Sequence, residues 1–594
     1  MAELRSAARV LSLALALTAT AVAAGAARAE DVDGVDVTVV QPWPEKADRG
    51  WVPIFVDLVN GEDRDRSVRV VARSPWGGVV RVTKDVRLLS RERTRVELVT
   101  PVISPFPSAC FVEIGVDGAS PRGLPMSAST SWGGDPTRHV LLVSRTPLAA
   151  GEPERLSSEI GAATGPTGRM GSAPFGVVPV SPRDLSTRSE AYTSVAIVVL
   201  DARDEPPAAE AMDAILAATR LGGALAFLGP GAKEKALRVP GLAPWIAERF
   251  AAESGGAEAE SFRMGFGRLV VGESDAPLGS TEQLAAVRAA ADAAWRSDRL
   301  LTPHTARAPA GEAPGFEGVP IRVMTALLLV FAAVIGFGSF FAVRKTGRPG
   351  VLLLAVPALG FVLSGGLLAY GTLHQGLDVK TRSASATLLD QRSHRASTVE
   401  RRIFFAGLSP GPGLRCGPGT ALFPESRDGY DRRNRYSVDL SDGTLLAGAF
   451  MPVREPVRQA VLSDRAARAR LDVEVEGGRL VARNGLGAVI ASIALRDASG
   501  AFHAFTGRLA PGESAPLTPF PEADARVRVS ELVAIEGAPF SGELPKGAYV
   551  AAIESPAFRD SLGVELTEVE GRHVVIGILP DGEEAGAEAE EKSR

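Results

Sequence analysis

Cysteine and histidine could act as nucleophiles or metal ligands in this 594-residue chain, and both are scarce. The only cysteines are Cys110 and Cys416. A helical metal site needs two ligands four positions apart, and no two histidines have that spacing. The histidines are His139, His304, His374, His394, His503 and His573. We therefore expect no metal ion and no cofactor, and we predict no catalytic, cofactor-binding or metal-binding residue.

Cys416 lies in a segment rich in glycine and proline, Gly411–Gly419, that superficially suggests a nucleophile elbow. The spacing does not match G-x-C-x-G, and no strong predicted strand precedes the cysteine. The favoured interpretation is a loop with an incidental thiol. In an exported chain a disulfide could join Cys416 to Cys110, but the two lie in separate predicted domains, which disfavours the bridge.

Three acidic residues cluster at the end of a predicted strand. Asp201 ends that strand, and Asp204 and Glu205 follow it closely. Open α/β sheets bind their ligands at the carboxyl ends of their strands, so a general acid and base could be paired here. A solvated loop is the favoured interpretation of the cluster.

The elements that would position these acids form an α/β pattern over residues 137–300. Continuous apolar runs are typical of strands in a buried parallel sheet, and helical stretches alternate with them. The predicted strands are His139–Ser144, Phe175–Val180, Val195–Asp201, Ala224–Gly229 and Gly267–Gly272, and the predicted helices are Glu152–Ala163 and Ala208–Arg220. The alternation indicates a doubly wound, flavodoxin-like α/β domain.

The strand Val195–Asp201, the helix after it and the segment RLGGALAFLGPG (Arg220–Gly231) resemble the core of class I glutamine amidotransferase-like domains. In that family an active enzyme carries a nucleophilic cysteine on a sharp strand-to-helix turn, with a histidine and an acid later in the chain. Here the segment has no cysteine, and no histidine lies between His139 and His304. The resemblance implies the fold and an inactive copy that binds a ligand or a partner.

Three apolar runs predict export and membrane insertion. Residues 1–29 have the features of a cleaved secretory signal peptide, although an uncleaved anchor is a disfavoured alternative. The charge-free runs Val323–Val343 and Val351–Leu373 predict transmembrane helices at 321–343 and 351–373 rather than a buried soluble hairpin. Positive charges in the loop 344–350 predict that it is cytoplasmic and that both flanks lie on the opposite side. The two charge-free runs carry no acidic or basic side chain, which argues against a transporter.

The remaining segments show the short, alternating strands of β-sandwiches. Residues 30–136 predict an immunoglobulin-like β-sandwich, and residues 374–580 predict one or two further β-sandwiches outside the membrane. Residues 301–320 are a predicted linker, and residues 581–594 are a predicted acidic, disordered tail. The strands predicted here are Val35–Val40, Trp51–Asn60, Ser67–Ala72, Gly78–Val82, Thr94–Val99, Cys110–Val116, Leu471–Val475, Leu480–Arg483, Val489–Arg496, Phe502–Leu509, Arg526–Ile535, Tyr549–Ile553 and Val574–Leu579.

Five arginines follow the second predicted span and form a basic stretch. On the outer side of the membrane they could contact anionic lipid headgroups, although a solvated face is the favoured interpretation. These residues are Arg382, Arg392, Arg395, Arg401 and Arg402.

The whole chain is thus predicted to be a multidomain membrane protein without a nucleic-acid partner, because a net charge of −5 indicates no basic face. Its order of segments resembles bacterial envelope proteins found near MoxR-type ATPases and von Willebrand A-domain membrane proteins. The D-x-S-x-S metal motif of the A domain is missing, since Asp184–Arg188 and Asp439–Gly443 both fail at the last position. The resemblance implies a non-enzymatic scaffold in the bacterial inner membrane, with large periplasmic domains that bind other envelope proteins. The alternative is a periplasmic hydrolase or transferase that uses the α/β domain.

Overall fold

The structure is a computed structural model that describes most of the chain after residue 29. The described residues are 30–43, 50–74, 79–102, 111–125, 137–163, 174–242, 254–255, 259–275, 278–297, 321–347, 350, 353, 356–362, 364–366, 369, 376, 378–408, 411–424, 435–533 and 544–580. The predicted signal peptide, linker and acidic tail lie outside these residues, as do Cys110, His304 and His374.

The described residues form several β-sheets and few helices. Before the apolar helices the strands are β1 (Glu30–Val32), β2 (Val35–Val40), β3 (Trp51–Asn60), β4 (Arg66–Ser74), β5 (Val79–Leu88), β6 (Arg93–Pro101), β7 (Phe111–Val116), β8 (Arg122–Pro125), β9 (Arg138–Val143), β10 (Phe175–Val180), β11 (Ile197–Asp201), β12 (Ala224–Leu228), β13 (Ser254–Gly255), β14 (Ala259–Met264) and β15 (Gly267–Gly272). After them the strands are β16 (Val379–Asp390), β17 (Arg395–Ala406), β18 (Leu414–Cys416), β19 (Thr420–Pro424), β20 (Arg435–Asp439), β21 (Thr444–Gly448), β22 (Val457–Ala466), β23 (Arg470–Glu476), β24 (Arg479–Gly485), β25 (Ile490–Arg496), β26 (Phe502–Leu509), β27 (Ser514–Pro516), β28 (Thr518–Pro519), β29 (Ala548–Ile553) and β30 (Thr567–Ile578).

Helices are concentrated in the α/β region and in the apolar segment. They are α1 (Glu152–Ala162), α2 (Ala209–Arg220), α3 (Ala232–Arg238), α4 (Thr281–Ser297), α5 (Ile321–Ala333), α6 (Ser339–Thr346) and α7 (Glu522–Val533), with short 3-10 helices at Pro182–Asp184 and Ser189–Ser194. The protein is therefore a multidomain, β-rich fold that contains an apolar helix.

Two sheets packed face to face form the first part of the chain. One is antiparallel, in the order β1-β2-β3-β6. Alternation along β2 points its apolar residues inward, since Val35 and Val37 are buried while Asp36 between them is exposed. Val70 and Ile114 of the second sheet lie in the same apolar core. The two sheets therefore form a β-sandwich.

The second sheet of this sandwich is completed by strands that follow the apolar helices in sequence. Its order is β18-β21-β20-β5-β4-β7-β8. Strand β20 lies parallel beside β5, with Val438 opposite Val82, and both side chains are fully buried. The backbone N–H of Asp85 also donates to Ser441 Oγ at 2.9 Å. Segments on both sides of the apolar helices thus share one sheet, which the sequence analysis did not predict.

Residues 138–297 form an α/β unit whose sheet has the order β10-β9-β11-β12-β15-β14-β13. The first five strands are parallel, whereas β14 and β13 are antiparallel additions. Helices α1 and α4 cover one face, with Ile160 and Ala291 in its core. Helices α2 and α3 cover the other face, with Ile215 and Ala236 in its core. The predicted alternation of strands and helices is confirmed, whereas strand β14 was not predicted.

The large sheet after the apolar helices has the order β19-β22-β17-β16-β30-β29-β25-β26-β28. Its central strands β16, β17 and β30 have 12 residues each, which corresponds to a length of about 40 Å. At the near end of this sheet Val379, the first strand residue after the apolar segment, pairs with Ala406. At the far end Asp390 pairs with Arg395 across a tight turn.

A small sheet of β23, β24 and β27 packs against the far end of the large sheet. Leu471 of β23 lies in the same core as Leu389 and Ala396, which flank the far turn. The predicted strands Leu471–Val475 and Leu480–Arg483 are confirmed here.

The predicted strand Arg526–Ile535 is wrong, because residues Glu522–Val533 form helix α7. Ala525 and Val529, four positions apart, are buried, whereas Val527 between them is 58% exposed. A spacing of four places side chains on one face of a helix, so the helical pattern outweighs the local alternation of valines. Arg526 also pairs with Glu522 at 2.9 Å, one helical turn away.

The apolar segment begins with a continuous helix made of α5, a π-helical stretch (Val334–Gly338) and α6. Gly347 ends it in the left-handed conformation, and its N–H donates to the Val343 carbonyl at 2.8 Å. Among the described residues, Leu328–Lys345 is the one helix long and apolar enough to cross a membrane, and none of it is buried in the protein. A shorter apolar helix follows at Val356–Gly366.

Candidate functional site

The order of the parallel strands creates a crevice at one edge of the α/β sheet. Strand β9 lies between β10 and β11. The connection from β9 to β10 runs to one side of this position, and the connection from β11 to β12 runs to the other side. Doubly wound sheets bind their ligands at such a switch point, outside the carboxyl ends of the strands. Val143 and Leu200 are paired near the ends of β9 and β11 and mark this position.

A small, shallow cleft lies at this switch point. Val143, Leu200 and Phe227 form its apolar wall, and Lys235 lies beside them. The three acids that the sequence analysis singled out, Asp201, Asp204 and Glu205, also line the cleft. The structure thus brings the predicted acidic cluster to the edge where a ligand would bind.

Asp201 is a structural anchor in this cleft. It is buried, and its carboxylate accepts hydrogen bonds from Arg203 Nη2 at 2.6 Å and Arg203 Nε at 3.0 Å. It also accepts one from the backbone N–H of Arg203 at 2.9 Å. These bonds fix the turn after β11, and they leave the carboxylate paired with a cation two residues away.

The other two acids are also engaged by donors. Asp204 Oδ2 accepts the backbone N–H of Arg145 at 2.7 Å, and Glu205 pairs with the Arg145 guanidinium at 2.8 Å. The Lys235 ammonium donates to the backbone carbonyls of Ala202 and Asp204. A general acid or base must reach a proton of the substrate, whereas the contacts of these acids hold the loop together.

The turn between β12 and α3 joins a strand to a helix, the kind of turn that would carry the nucleophile of an active amidotransferase. Gly229 and Pro230 follow the strand directly, and neither has a side chain that could attack a substrate. Glu273 accepts hydrogen bonds from the backbone N–H groups of Gly231 at 2.8 Å and Lys233 at 3.0 Å. The chain's own carboxylate therefore occupies the donors at the start of α3.

A second polar constellation lies in the large sheet, and no sequence pattern predicted it. Ser385 Oγ lies 2.8 Å from Nδ1 of His573, and Nε2 of His573 lies 3.2 Å from Glu568 Oε1. Burial opposes ionisation of Glu568, but hydrogen bonds from His573 and Ser383 and the charge of Arg559 lower its pKa to about 2. An ionised Glu568 accepts the Nε2–H of His573, which leaves Nδ1 free to accept the Ser385 hydroxyl.

This serine–histidine–glutamate relay has the order of a catalytic triad but not its setting. Ser385 is 4% exposed and His573 is 1% exposed, so a substrate has no access to the hydroxyl. Arg559 bridges the same network, with Nη2 2.7 Å from Glu568 and Nε 2.9 Å from Glu400. No local motif could have revealed the relay, because Ser385 and His573 are 188 positions apart.

Arg402 is the most deeply buried cation of this network. Its side chain is 0% exposed, and its guanidinium lies 3.8 Å from Glu400 and 4.5 Å from the centre of the Phe404 ring. None of its three nitrogens has a hydrogen-bond partner among the described residues. Complete burial lowers the pKa of Arg402, and the neighbouring Glu400 partly opposes this.

The prediction that five arginines form a solvated or lipid-facing stretch is wrong. Arg401 and Arg402 are buried in β17. The other three pair with acids, Arg382 with Glu570 at 3.0 Å, Arg392 with Asp390 at 3.0 Å and Arg395 with Asp464 at 3.5 Å. The reason is that β16 carries the chain away from the apolar segment and β17 returns it, so these arginines become parts of a packed sheet.

Cys416 ends the short strand β18 and is a free, buried thiol rather than part of a loop. Burial, reinforced by the charge of Asp560, raises the pKa of its thiol to about 12, so it is not a reactive nucleophile. Within the described ranges no three side chains among His, Cys, Asp and Glu are grouped to hold a metal ion.

No protein-family model matches the chain, and no curated protein matches it either. Among solved structures the chain is similar to a calcium-binding mutant of Bacteroides uniformis β-glucuronidase 2, with 10% identity over 34% of each chain and a TM-score of 0.14. It is similar to the same enzyme bound to cyclophellitol-6-carboxylate aziridine, with 13% identity over 34% of each chain and a TM-score of 0.14. The chain therefore spans about a third of the length of either enzyme, and scores this low carry no argument about function.

Proposed function

We propose that this protein is a non-enzymatic scaffold of the bacterial cell envelope, anchored in the inner membrane by its apolar helices. Its α/β and β-sandwich domains lie on the periplasmic side and bind other envelope proteins. In this proposal the first sandwich is immunoglobulin-like, and the α/β domain is an inactive amidotransferase-like copy. The observation that carries the proposal is the sheet shared by β5 and β20.

The shared sheet supports a hairpin that enters and leaves the membrane on one side. Strand β5 precedes the apolar segment and β20 follows it, yet Val82 and Val438 are hydrogen-bonded neighbours in one sheet. Two segments on opposite faces of a bilayer could not pair in this way. The pairing therefore supports an apolar segment that returns to the side it left, as an even number of spans would.

A buried ion pair supports an arrangement in which the α/β domain and the large sheet form one rigid body. Arg220 at the end of α2 donates to Asp464 of β22 through Nε at 3.0 Å and Nη2 at 2.7 Å. Their side chains are 7% and 0% exposed. Ser397 Oγ also donates to Asp464 at 2.6 Å. These buried contacts attach the α/β domain to the large sheet, which a scaffold of fixed shape requires.

The alternative function, a periplasmic hydrolase or transferase, has two candidate sites. In the switch-point cleft, Asp201, Asp204 and Glu205 are held by hydrogen-bond donors from Arg203 and Arg145. In the large sheet the relay through Ser385 is enclosed. Both sites therefore favour a structural role over catalysis.

The membrane arrangement predicts the activity of alkaline phosphatase fusions, because that enzyme folds to its active form only after export. Fusions after Ser297 and after Arg382 are expected to be active, and a fusion at Gly347 is expected to be inactive. Enzyme activity per unit of fusion protein measures this in cells. Activity at Gly347 together with inactivity at Arg382 would contradict the proposed orientation.

The absence of catalysis predicts that a fluorophosphonate probe, which reacts with activated serines, does not label the purified protein. The variants Ser385→Ala and Asp201→Asn are expected to complement a deletion strain as fully as the unmodified protein does. Expression of each variant is checked by immunoblot. Labelling that disappears in Ser385→Ala, or loss of function in either variant at normal expression and unchanged thermal stability, contradicts a non-enzymatic role.

A further inference from the structure

The near end of the large sheet exposes two aliphatic side chains. Leu408 is 49% exposed and Val453 is 46% exposed. Val453 forms a β-bridge with Ala406, the last residue of β17, and Leu408 lies two residues further along the chain. The two side chains therefore lie at the same end of the sheet, around Ala406.

Chain connectivity holds this end close to the apolar segment. The backbone N–H of Gly407 donates to the Asp378 carbonyl at 3.2 Å, so Leu408 lies beside the chain that enters β16. The second apolar run ends at Leu373, five residues before Asp378, and an extended chain of that length spans at most about 18 Å. The polar layer on each side of the hydrocarbon core is roughly 5–8 Å thick, so the near end can reach it.

The charges beside these two residues are balanced. Arg454 and Glu455 directly follow Val453 in the chain. Lys380 is paired with Phe405 between β16 and β17, and Asp378 accepts the hydrogen bond from Gly407. A surface that selects anionic lipids would carry an excess of cations. This surface instead combines an apolar centre with mixed charges, which suits the interfacial layer of any phospholipid.

We propose that Leu408 and Val453 form a bilayer-docking surface, through which the near end of the large sheet rests in the interfacial layer of the membrane. The inference rests on the proposed membrane anchoring and adds a second, shallow contact with lipid. It orients the body, because the sheet then stands away from the membrane along its roughly 40 Å length. The small sheet of β23, β24 and β27 becomes the part most distant from lipid.

Site-directed fluorescence in reconstituted vesicles tests this surface. Single cysteines replace Leu408 or Val453 in a Cys110→Ser background, in which buried Cys416 stays unlabelled, and each carries a nitrobenzoxadiazole label. Val475→Cys is the matched control, because Val475 is 71% exposed and lies in β23, at the far end. Phe337→Cys, also at a 71% exposed site, reports on the apolar helix itself.

Spin-labelled phosphatidylcholine is expected to quench the labels at 408, 453 and 337 by about half or more, and to leave the label at 475 nearly unquenched. Quenching is expected to be the same with and without phosphatidylglycerol. Quenching at 337 but not at 408 and 453 overturns the docking surface while leaving the anchor intact. No quenching at 337 overturns the anchor as well, and quenching at 408 that needs phosphatidylglycerol overturns the apolar mode of docking.

Discussion

Replacing Arg220 with alanine is expected to lower the free energy of unfolding by about 3–5 kcal/mol, because it leaves the buried Asp464 carboxylate without its bidentate partner. Asp464 keeps Ser397 and a 3.5 Å contact with Arg395, neither of which replaces the lost pair. Urea unfolding of the detergent-solubilised protein, followed by tryptophan fluorescence, measures the loss. The α/β domain is also expected to become sensitive to protease first, because the pair joins it to β22.

Arg69→Ala is the matched control for this experiment. Arg69 binds Asp85 with the same bidentate geometry, at 2.7 and 2.8 Å, but the side chains are 57% and 45% exposed. Exposed pairs of this kind contribute about 0–1 kcal/mol, so Arg69→Ala is expected to lower the free energy of unfolding far less than Arg220→Ala. The double variant Arg220→Met with Asp464→Leu is expected to recover much of the stability. Equal losses in Arg220→Ala and Arg69→Ala would show that the buried pair does not hold the domains together.

Replacing Val438 with aspartate is expected to destabilise the first sandwich, although Val438 lies far along the chain from the strands β1 to β8 of that sandwich. Val438 is fully buried opposite Val82, and an unpaired carboxylate placed there costs about 3 kcal/mol or more. Hydrogen exchange measured by mass spectrometry is expected to rise in peptides from β4 and β5. The same measurement is expected to change less in β9 and β11.

Ser437→Asp provides the control for this substitution. Ser437 is the neighbouring residue of β20, pairs with Arg81 and is half-buried on the opposite face of the strand. The same side chain at this position is expected to leave exchange in β4 and β5 close to that of the unmodified protein. If Val438→Asp raises exchange only in peptides after residue 379, the sheet shared by β5 and β20 does not form in solution.

Sequence patterns predicted the local elements well where apolar residues decide the structure. The bounds predicted for Trp51–Asn60 and Phe175–Val180 agree with β3 and β10. The apolar residues that predicted each strand are largely the residues that it buries. Helices α1 and α2 also match their predicted ranges within one residue. The acids at the end of β11 lie at the cleft because the carboxyl ends of parallel strands meet at one edge of the sheet.

The long hairpin of β16 and β17 was not predicted, because its inward side chains are polar. Ser383, Ser385 and Glu400 are buried and bind polar residues outside the hairpin, Glu568, His573 and Arg559. Arg402 is buried beside Glu400 and Phe404, so these positions show no apolar pattern. The position of β20 in the second sheet of the first sandwich was not predicted, for a different reason. A strand's own alternation shows which face is buried, and it carries no information about a parallel neighbour hundreds of residues away.

The pairing of β5 with β20 also sets the order of events during synthesis. Asp85 and Ser441, which hydrogen-bond across this pair, are 356 positions apart. At about 5–20 residues per second the ribosome needs roughly 20 to 70 seconds to make the interval between them. Throughout that time β5 has an open edge, and open edges promote association with other chains. The long-range contact therefore makes folding slow and creates a period in which a chaperone, or early binding by a partner, would protect the unfinished sheet.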